Sequence, residues 1–159
     1  MNAILDELSK SLPDVHEVVT VVIRLLAALI AGAIVGWQRE HSHAPAGLRT
    51  HMLVCTGVTL FVLAEVPMGN DAMSRVIQGI ATGIGFLGAG AIIKMKDSLE
   101  VYGLTTAAGI WMTSAIGVTI GLGRLVTAAI AVACAWFVLA VVVKLEPRPQ
   151  HSDRRGLPG

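Results

Sequence analysis

Charged residues are scarce in this sequence, and scarcest where the chain is most apolar. Asp, Glu, Lys and Arg make up 14% of the 159 residues against 54% hydrophobic, and the mean hydropathy is +0.71. Five runs, Val18 to Trp37, Thr50 to Val66, Val76 to Ile93, Leu104 to Leu122 and Leu125 to Val143, hold only Arg24 and Glu65 between them. So short a chain cannot bury that much apolar sequence in a soluble core, which excludes the soluble class. Cysteine is nearly absent. Cys55 and Cys134 both lie inside apolar runs without metal-ligand spacing, so they are expected to be buried small hydrophobes. No nucleophile–base–orienter set, phosphate-binding glycine loop or other motif with a catalytic mechanism occurs, so the chain is not expected to be an enzyme. No cofactor is expected either, and nothing points to nucleic acid.

Each run suits a helix crossing a hydrocarbon layer of about 30 Å at about 1.5 Å per residue. The fold class that follows is all-α, a polytopic membrane bundle of about five transmembrane helices. Residues 1–17 form an extracytoplasmic segment, 18–143 the transmembrane domain, and 144–159 a polar, Pro-, Arg- and Gly-rich tail expected to be disordered. Eight basic residues fall on one side (Arg39, Arg49, Lys94, Lys96, Lys144, Arg148, Arg154, Arg155) and three on the other (Lys10, Arg75, Arg124). The positive-inside rule therefore puts the N-terminus outside and the C-terminus in the cytoplasm. The acidic first residues and Pro13 argue against a cleavable signal peptide, and Ile4 to Leu12 fits a short amphipathic helix on the outer surface.

Helices in lipid associate through close backbone approach and scattered hydrogen bonds, so small residues mark contact faces. The third run puts Gly79, Gly83 and Gly90 on one face and Ala81, Gly85 and Gly88 roughly opposite. That pattern predicts a central helix packed between two neighbours, or one that borders a cavity or moves. Ala28, Gly32 and Gly36 recur at four-residue steps in the first run. Thr106, Gly109, Thr113 and Gly117 share a stripe that can pack closely and hydrogen-bond across. The fifth run has no glycine after Gly123 and belongs on the lipid-facing rim.

Arg24 lies inside the first run, where a charge is costly unless it pairs or snorkels to the headgroups. Glu65 is the only carboxylate at a comparable level. On the cytoplasmic side Arg39 and Glu40 continue an apolar helix, followed by His41, His43, Arg49 and His51. The third connection offers Lys94, Lys96, Asp97 and Glu100. These loops face one compartment, so pairs of Arg39 or Arg49 with Asp97 or Glu100 fit, as does a solvated rim that merely sets orientation. Glu40, Asp97 and Glu100 could supply the carboxylates a magnesium site wants, although nothing in their spacing demands one. The histidines at 41, 43 and 51 match no zinc pattern.

Three stretches in register resemble one family. They are GAIVGWQREHSHAPAGLRTHMLV from Gly32, QGIATGIGFLGAGAII from Gln78, and GLTTAAGIWMTSAIGVTIGLG from Gly103. Together they are similar to the membrane domain of the MgtC/SapB family, over about Leu25 to Val143. The matching positions are Arg39, Glu40, Ala46 to Thr50, Gly79, Gly83, Gly85 to Gly88, Gly90, Gly103 to Ala108 and Trp111. The resemblance implies a bacterial inner-membrane protein of about five spans. For some members it also implies association with growth in low magnesium and survival in host cells, and for the best-known ones restraint of the F-type ATP synthase. This chain departs from the virulence-linked members in having a short tail where they carry a cytoplasmic C-terminal domain. Thr105 stands where they have Asn, Met112 where they have Cys, and Tyr102 where many relatives have Arg.

Three functions follow as expectations. The first is a non-enzymatic regulatory or accessory protein acting on another inner-membrane complex. The second is a small oligomeric magnesium or cation transporter. The third is a homo-oligomer whose glycine faces meet. In each case the lipid bilayer is the constant partner.

Overall fold

The computed structural model describes residues 14–65, 70–94 and 101–142. Five helices account for most of them: α1 (Val15–His41), α2 (Leu48–Glu65), α3 (Asn70–Gly90), α4 (Leu104–Gly121) and α5 (Leu125–Ala140). Between α3 and α4 a two-residue antiparallel pair, β1 (Ile93–Lys94) and β2 (Val101–Tyr102), joins Ile93 to Tyr102 and Lys94 to Val101. The protein is an all-α membrane bundle. α1, α2 and α4 are long and apolar enough to cross a membrane, and α5 is a shorter apolar helix.

α1 is the longest element because nothing in its sequence stops it before Ser42. It runs 27 residues, with Glu17 in the first turn and Arg39 and His41 in the last, signs that complement the helix dipole. The chain then reverses at His43, a non-glycine residue at φ 52°, held by the Glu40 carbonyl accepting from the His43 N–H at 3.1 Å. The Arg39 carbonyl accepts from the Ala44 N–H at 3.1 Å. So tight a reversal lays α2 antiparallel against α1.

Glycines set how close the helices come. A Cβ on Gly32 would lie 2.6 Å from the His51 carbonyl oxygen, and one on Gly36 would lie 2.7 Å from Leu48 Cα, so α1 and α2 cross backbone to backbone. On the other side of α2, a Cβ on Gly117 would meet the Cys55 carbonyl oxygen at 2.6 Å, and one on Gly121 would meet Val62 Cβ at 2.6 Å. α2 is therefore clamped between glycine-lined faces of α1 and α4. The main core joins Ala28, Ala31 and Val35 of α1, Cys55 of α2, Ile116 and Ile120 of α4, and Ala128, Val132, Ala135 and Leu139 of α5. The four α5 residues form its one buried stripe, and the rest of α5 faces outward, on the rim.

The central helix is α4, not α3. Half of α4 is buried, and it packs against the four other helices. Among the described residues α3 buries only Ile84 and Gly88, and Ile84 joins Ile110 and Ala46 in a small second core. Gly88 lies against Ala107, whereas Cβ atoms on Gly79, Gly83, Gly85 or Gly90 would meet nothing within 4 Å. A glycine-rich helix is permitted to pack on both sides but is not compelled to. Cys134 also departs from expectation: Cys55 is buried, but Cys134 is exposed on the outer side of α5.

Candidate functional site

The polar residues of the bundle collect where the last turn of α1, the first turns of α2 and the first half of α4 meet. Arg39 ends an apolar helix, where a guanidinium would ordinarily reach water, yet it is only 7% exposed. Its Nη2 donates to Thr106 Oγ1 at 3.0 Å, which ties α1 to the start of α4. Its Nε is buried without a hydrogen-bond partner among the described residues. His51, one turn into α2, is fully buried between α1 and α4. Its Cβ would lie 3.1 Å from a Cβ on Gly36, and its Cε1 would lie 3.5 Å from one on Gly109. Glycine is required on the α1 side, where a Cβ on Gly36 would also meet Leu48 Cα at 2.7 Å, whereas a Cβ on Gly109 would make ordinary contact with the ring.

Thr113 Oγ1 stands 2.7 Å from His51 Nδ1 and 2.9 Å from the Gly109 carbonyl oxygen, so the hydroxyl is shared between the ring and its own helix. The other ring nitrogen, Nε2, is buried without a hydrogen-bond partner among the described residues. The Ala46 carbonyl lies near the ring but outside hydrogen-bonding geometry. One turn deeper, the Thr59 hydroxyl reaches the Gly117 carbonyl at 3.0 Å and the Cys55 carbonyl at 2.9 Å. The cluster thus holds a guanidinium, an imidazole and three hydroxyls, with two buried nitrogens left open. Such a set binds helices together and presents positive charge. Among the described residues it contains no carboxylate for a divalent cation.

Glu40 lies outside this cluster. Its Oε2 accepts the Leu48 backbone N–H at 2.9 Å and so caps α2. The carboxylate fills the space beside Gly47 where a Cβ would stand. Arg49 and Thr105 are exposed, and neither makes a hydrogen bond or ion pair among the described residues. Asp97 and Glu100, the expected partners of Arg39 and Arg49, lie outside the described residues. Among the described residues no group of three or more His, Cys, Asp and Glu side chains gathers.

Two further polar contacts bind the bundle near its ends. Arg24 does not pair with Glu65: its Nη1 donates to the Gly121 carbonyl at 2.7 Å, satisfying one of the carbonyls that α4 leaves open at its C-terminus. Gly123, at φ 78°, turns the chain there, and a Cβ on it would meet Arg24 Nη2 at 2.7 Å. Gln38 Nε2 donates to the Leu139 carbonyl at 2.6 Å and joins α1 to the end of α5. Sequence reasoning missed His51 as a site residue by placing it on a solvated rim. The usable signal was its spacing with Cys55 and Thr59, a small, polar stripe stepping by four along α2.

The profile of the MgtC family matches residues 25–148. The chain is 44% identical over 113 residues to Protein SrpB of Synechococcus elongatus, covering 63% of this chain and 62% of that protein. It is 41% identical over 121 residues to Protein MgtC of Salmonella typhimurium, covering 74% of this chain and 52% of that one. Against Protein MgtC of Brucella abortus it is 40% identical over 137 residues, covering 83% and 56%. It therefore spans between about half and two thirds of the length of these curated relatives. No solved structure matches the chain. The match takes in α1 from Leu25, both flanks of α2, the whole of α3 and α4, and the Arg39–His51–Thr106–Thr113 junction; the chain belongs to the MgtC family.

Proposed function

We propose that this chain is a non-enzymatic, multi-pass protein of the bacterial inner membrane that serves magnesium limitation or ion homeostasis by acting on a membrane partner. Its N-terminus faces outward and its C-terminus the cytoplasm, as the distribution of basic residues favours. The observation that carries this reading is where the bundle keeps its concave and its polar surfaces. The inside is packed, and Arg24, Gln38, Arg39, His51 and Thr59 each hold one helix to another. A large concave surface lies on the outside instead: an apolar groove of about 560 Å³ between α1 and α5, lined by Ala27, Ile30, Ala31, Ala129, Ala133 and Trp136 among others.

Small residues along such a groove let another transmembrane helix come close, the geometry on which association in lipid depends. A transport role needs ligands along a passage, and Glu40, the one described carboxylate on the cytoplasmic rim, is engaged in capping α2. The reading is tested by placing a photo-crosslinking residue at Ala129 or Ala133 and irradiating native membranes. The expected result is an adduct with a membrane protein of a mass other than twice this chain. No adduct, together with ion movement by the purified chain alone, would overturn it.

A further inference from the structure

Another concavity lies at the end of the bundle where α1 stops and α2 starts. Its volume is about 590 Å³, within the range of about 300–1,000 Å³ usual for small-molecule sites. Trp37, Glu40, His41, Gly47, Arg49 and Thr50 line it, with Leu48. Trp37 closes the first apolar run and Thr50 opens the second. Glu40 and Arg49 therefore stand immediately beyond both runs, at the depth of the lipid headgroups.

A carboxylate and a guanidinium thus share one cavity at a membrane edge, yet they make no ion pair with each other. Glu40 Oε2 is committed to the Leu48 N–H at 2.9 Å, whereas Oε1 makes no hydrogen bond among the described residues. The Arg49 side chain is exposed and equally unengaged there. Beside it, the backbone N–H groups of Arg49 and Thr50 open an 18-residue helix and find no acceptor among the described residues. They add the positive end of the helix dipole to the guanidinium. The α1 wall is braced by its own contacts. His41 Nδ1–H donates to the Trp37 carbonyl at 2.9 Å, and the two rings lie 4.8 Å apart.

We propose that this cavity takes the headgroup of a phosphatidylethanolamine molecule of the surrounding bilayer. Its phosphate lies on Arg49 and the first-turn N–H groups of α2, and its ammonium on Glu40 Oε1. Unlike charges held apart in one cavity call for a ligand that carries both, and this headgroup joins them by a two-carbon link. A primary ammonium brings three N–H donors to the carboxylate, as a lysine does, whereas a quaternary ammonium brings none. Trp37 adds the aromatic surface that a cation favours. A purely anionic headgroup would suit Arg49 but leave Glu40 beside a second negative charge. A lipid is favoured over a soluble zwitterion because apolar surface continues from the cavity into the membrane. Trp37 is 61% exposed, and Leu53, one turn deeper than Arg49 on the same side of α2, is 73% exposed. The cavity shares no residue with the groove between α1 and α5, so this site stands or falls independently of the function proposed above.

The test is native mass spectrometry of the purified full chain, offered equal amounts of phosphatidylethanolamine, phosphatidylglycerol and phosphatidylcholine. The expected result is preferential retention of phosphatidylethanolamine. Arg49→Gln should lower its occupancy about tenfold, the loss of one charge-assisted hydrogen bond, and Arg49→Lys should restore most of it. Glu40→Gln keeps an acceptor for the Leu48 N–H, so the cap survives, but it should abolish the preference over phosphatidylglycerol. Arg75→Gln, an exposed position at the other end of the bundle, should change nothing. Equal retention of the three lipids, equal losses with Arg49→Gln and Arg75→Gln, or a preference that survives Glu40→Gln overturns the proposal. Displacement of the lipid by an equal concentration of glycerophosphoethanolamine overturns it too, because the site would then serve a soluble zwitterion.

Discussion

Replacing Gly32 with Ala probes the crossing on which the site is built. A methyl there would sit 2.6 Å from the His51 carbonyl oxygen and 2.7 Å from Met52 Cα, where ordinary contact begins near about 3.5 Å. Both obstacles are backbone, so no rotamer change relieves the overlap, and α1 and α2 must part by about 1 Å. Overpacking of this kind costs about 1–3 kcal/mol. Replacing a helical Gly by Ala returns about 0.5–1 kcal/mol. The net expectation is a loss of up to about 2.5 kcal/mol, centred near about 1 kcal/mol. Gly83→Ala is the control, because nothing lies within 4 Å of its Cβ position. It keeps only the helix gain and should stabilise by about 0.5–1 kcal/mol. At about 2–4 °C per kcal/mol for a chain of this size, the two variants should move Tm in opposite directions. Thermal unfolding in detergent with a thiol-reactive dye measures this in a Cys134→Ala background, since the remaining thiol, Cys55, is fully buried until the bundle opens. Shifts of the same sign would refute the clamp of α2 between glycine faces.

Three other substitutions test the site. Arg39→Met removes the bond that ties α1 to α4, but also a buried guanidinium with no ion pair among the described residues, whose desolvation offsets that bond, so Tm should hold or rise; a large fall would show that the bond outweighs the desolvation. Thr113→Val keeps the shape but leaves the buried His51 Nδ1 without its hydrogen-bond partner. It should cost about 1–3 kcal/mol in denaturation, whereas Val at the exposed Thr105 should change stability by less than about 0.5 kcal/mol. Gly103→Ala forces a side chain into φ 95° and against the Ala91 carbonyl. A loss above about 1 kcal/mol is expected, and an unchanged melting curve would contradict the turn.

The helices were legible because run length and apolarity report directly on what a bilayer accepts. Val18 to Trp37 falls inside α1, Leu104 to Leu122 matches α4 almost to the residue, and the continuation of α1 through Arg39 and Glu40 was visible as an apolar helix carried onward. The Thr106–Gly109–Thr113–Gly117 stripe was read as able both to pack and to hydrogen-bond, and α4 uses it for both, with Arg39 and His51 arriving at its threonines. Which glycines pack was not legible. Glycine says that a backbone can approach; only the placement of another helix says that one does. The third run has the most glycines, yet Gly32, Gly36, Gly117 and Gly121 carry the close crossings. Arg24 eluded sequence reasoning for a related reason. Its partner is a backbone carbonyl 97 residues away, and no side-chain pattern marks it. The Gly121–Leu122–Gly123 ending of α4 was the available hint, since a helix terminus leaves carbonyls in need of donors.

The most direct test of the central claim is magnesium flux into liposomes that contain only the purified, correctly inserted chain, with Glu40→Gln alongside. Action on a partner, with Glu40 serving to cap α2, leads to no flux above empty liposomes for either protein. Flux carried by the unaltered chain and abolished by Glu40→Gln would contradict the account and make the cytoplasmic carboxylate part of a transport site.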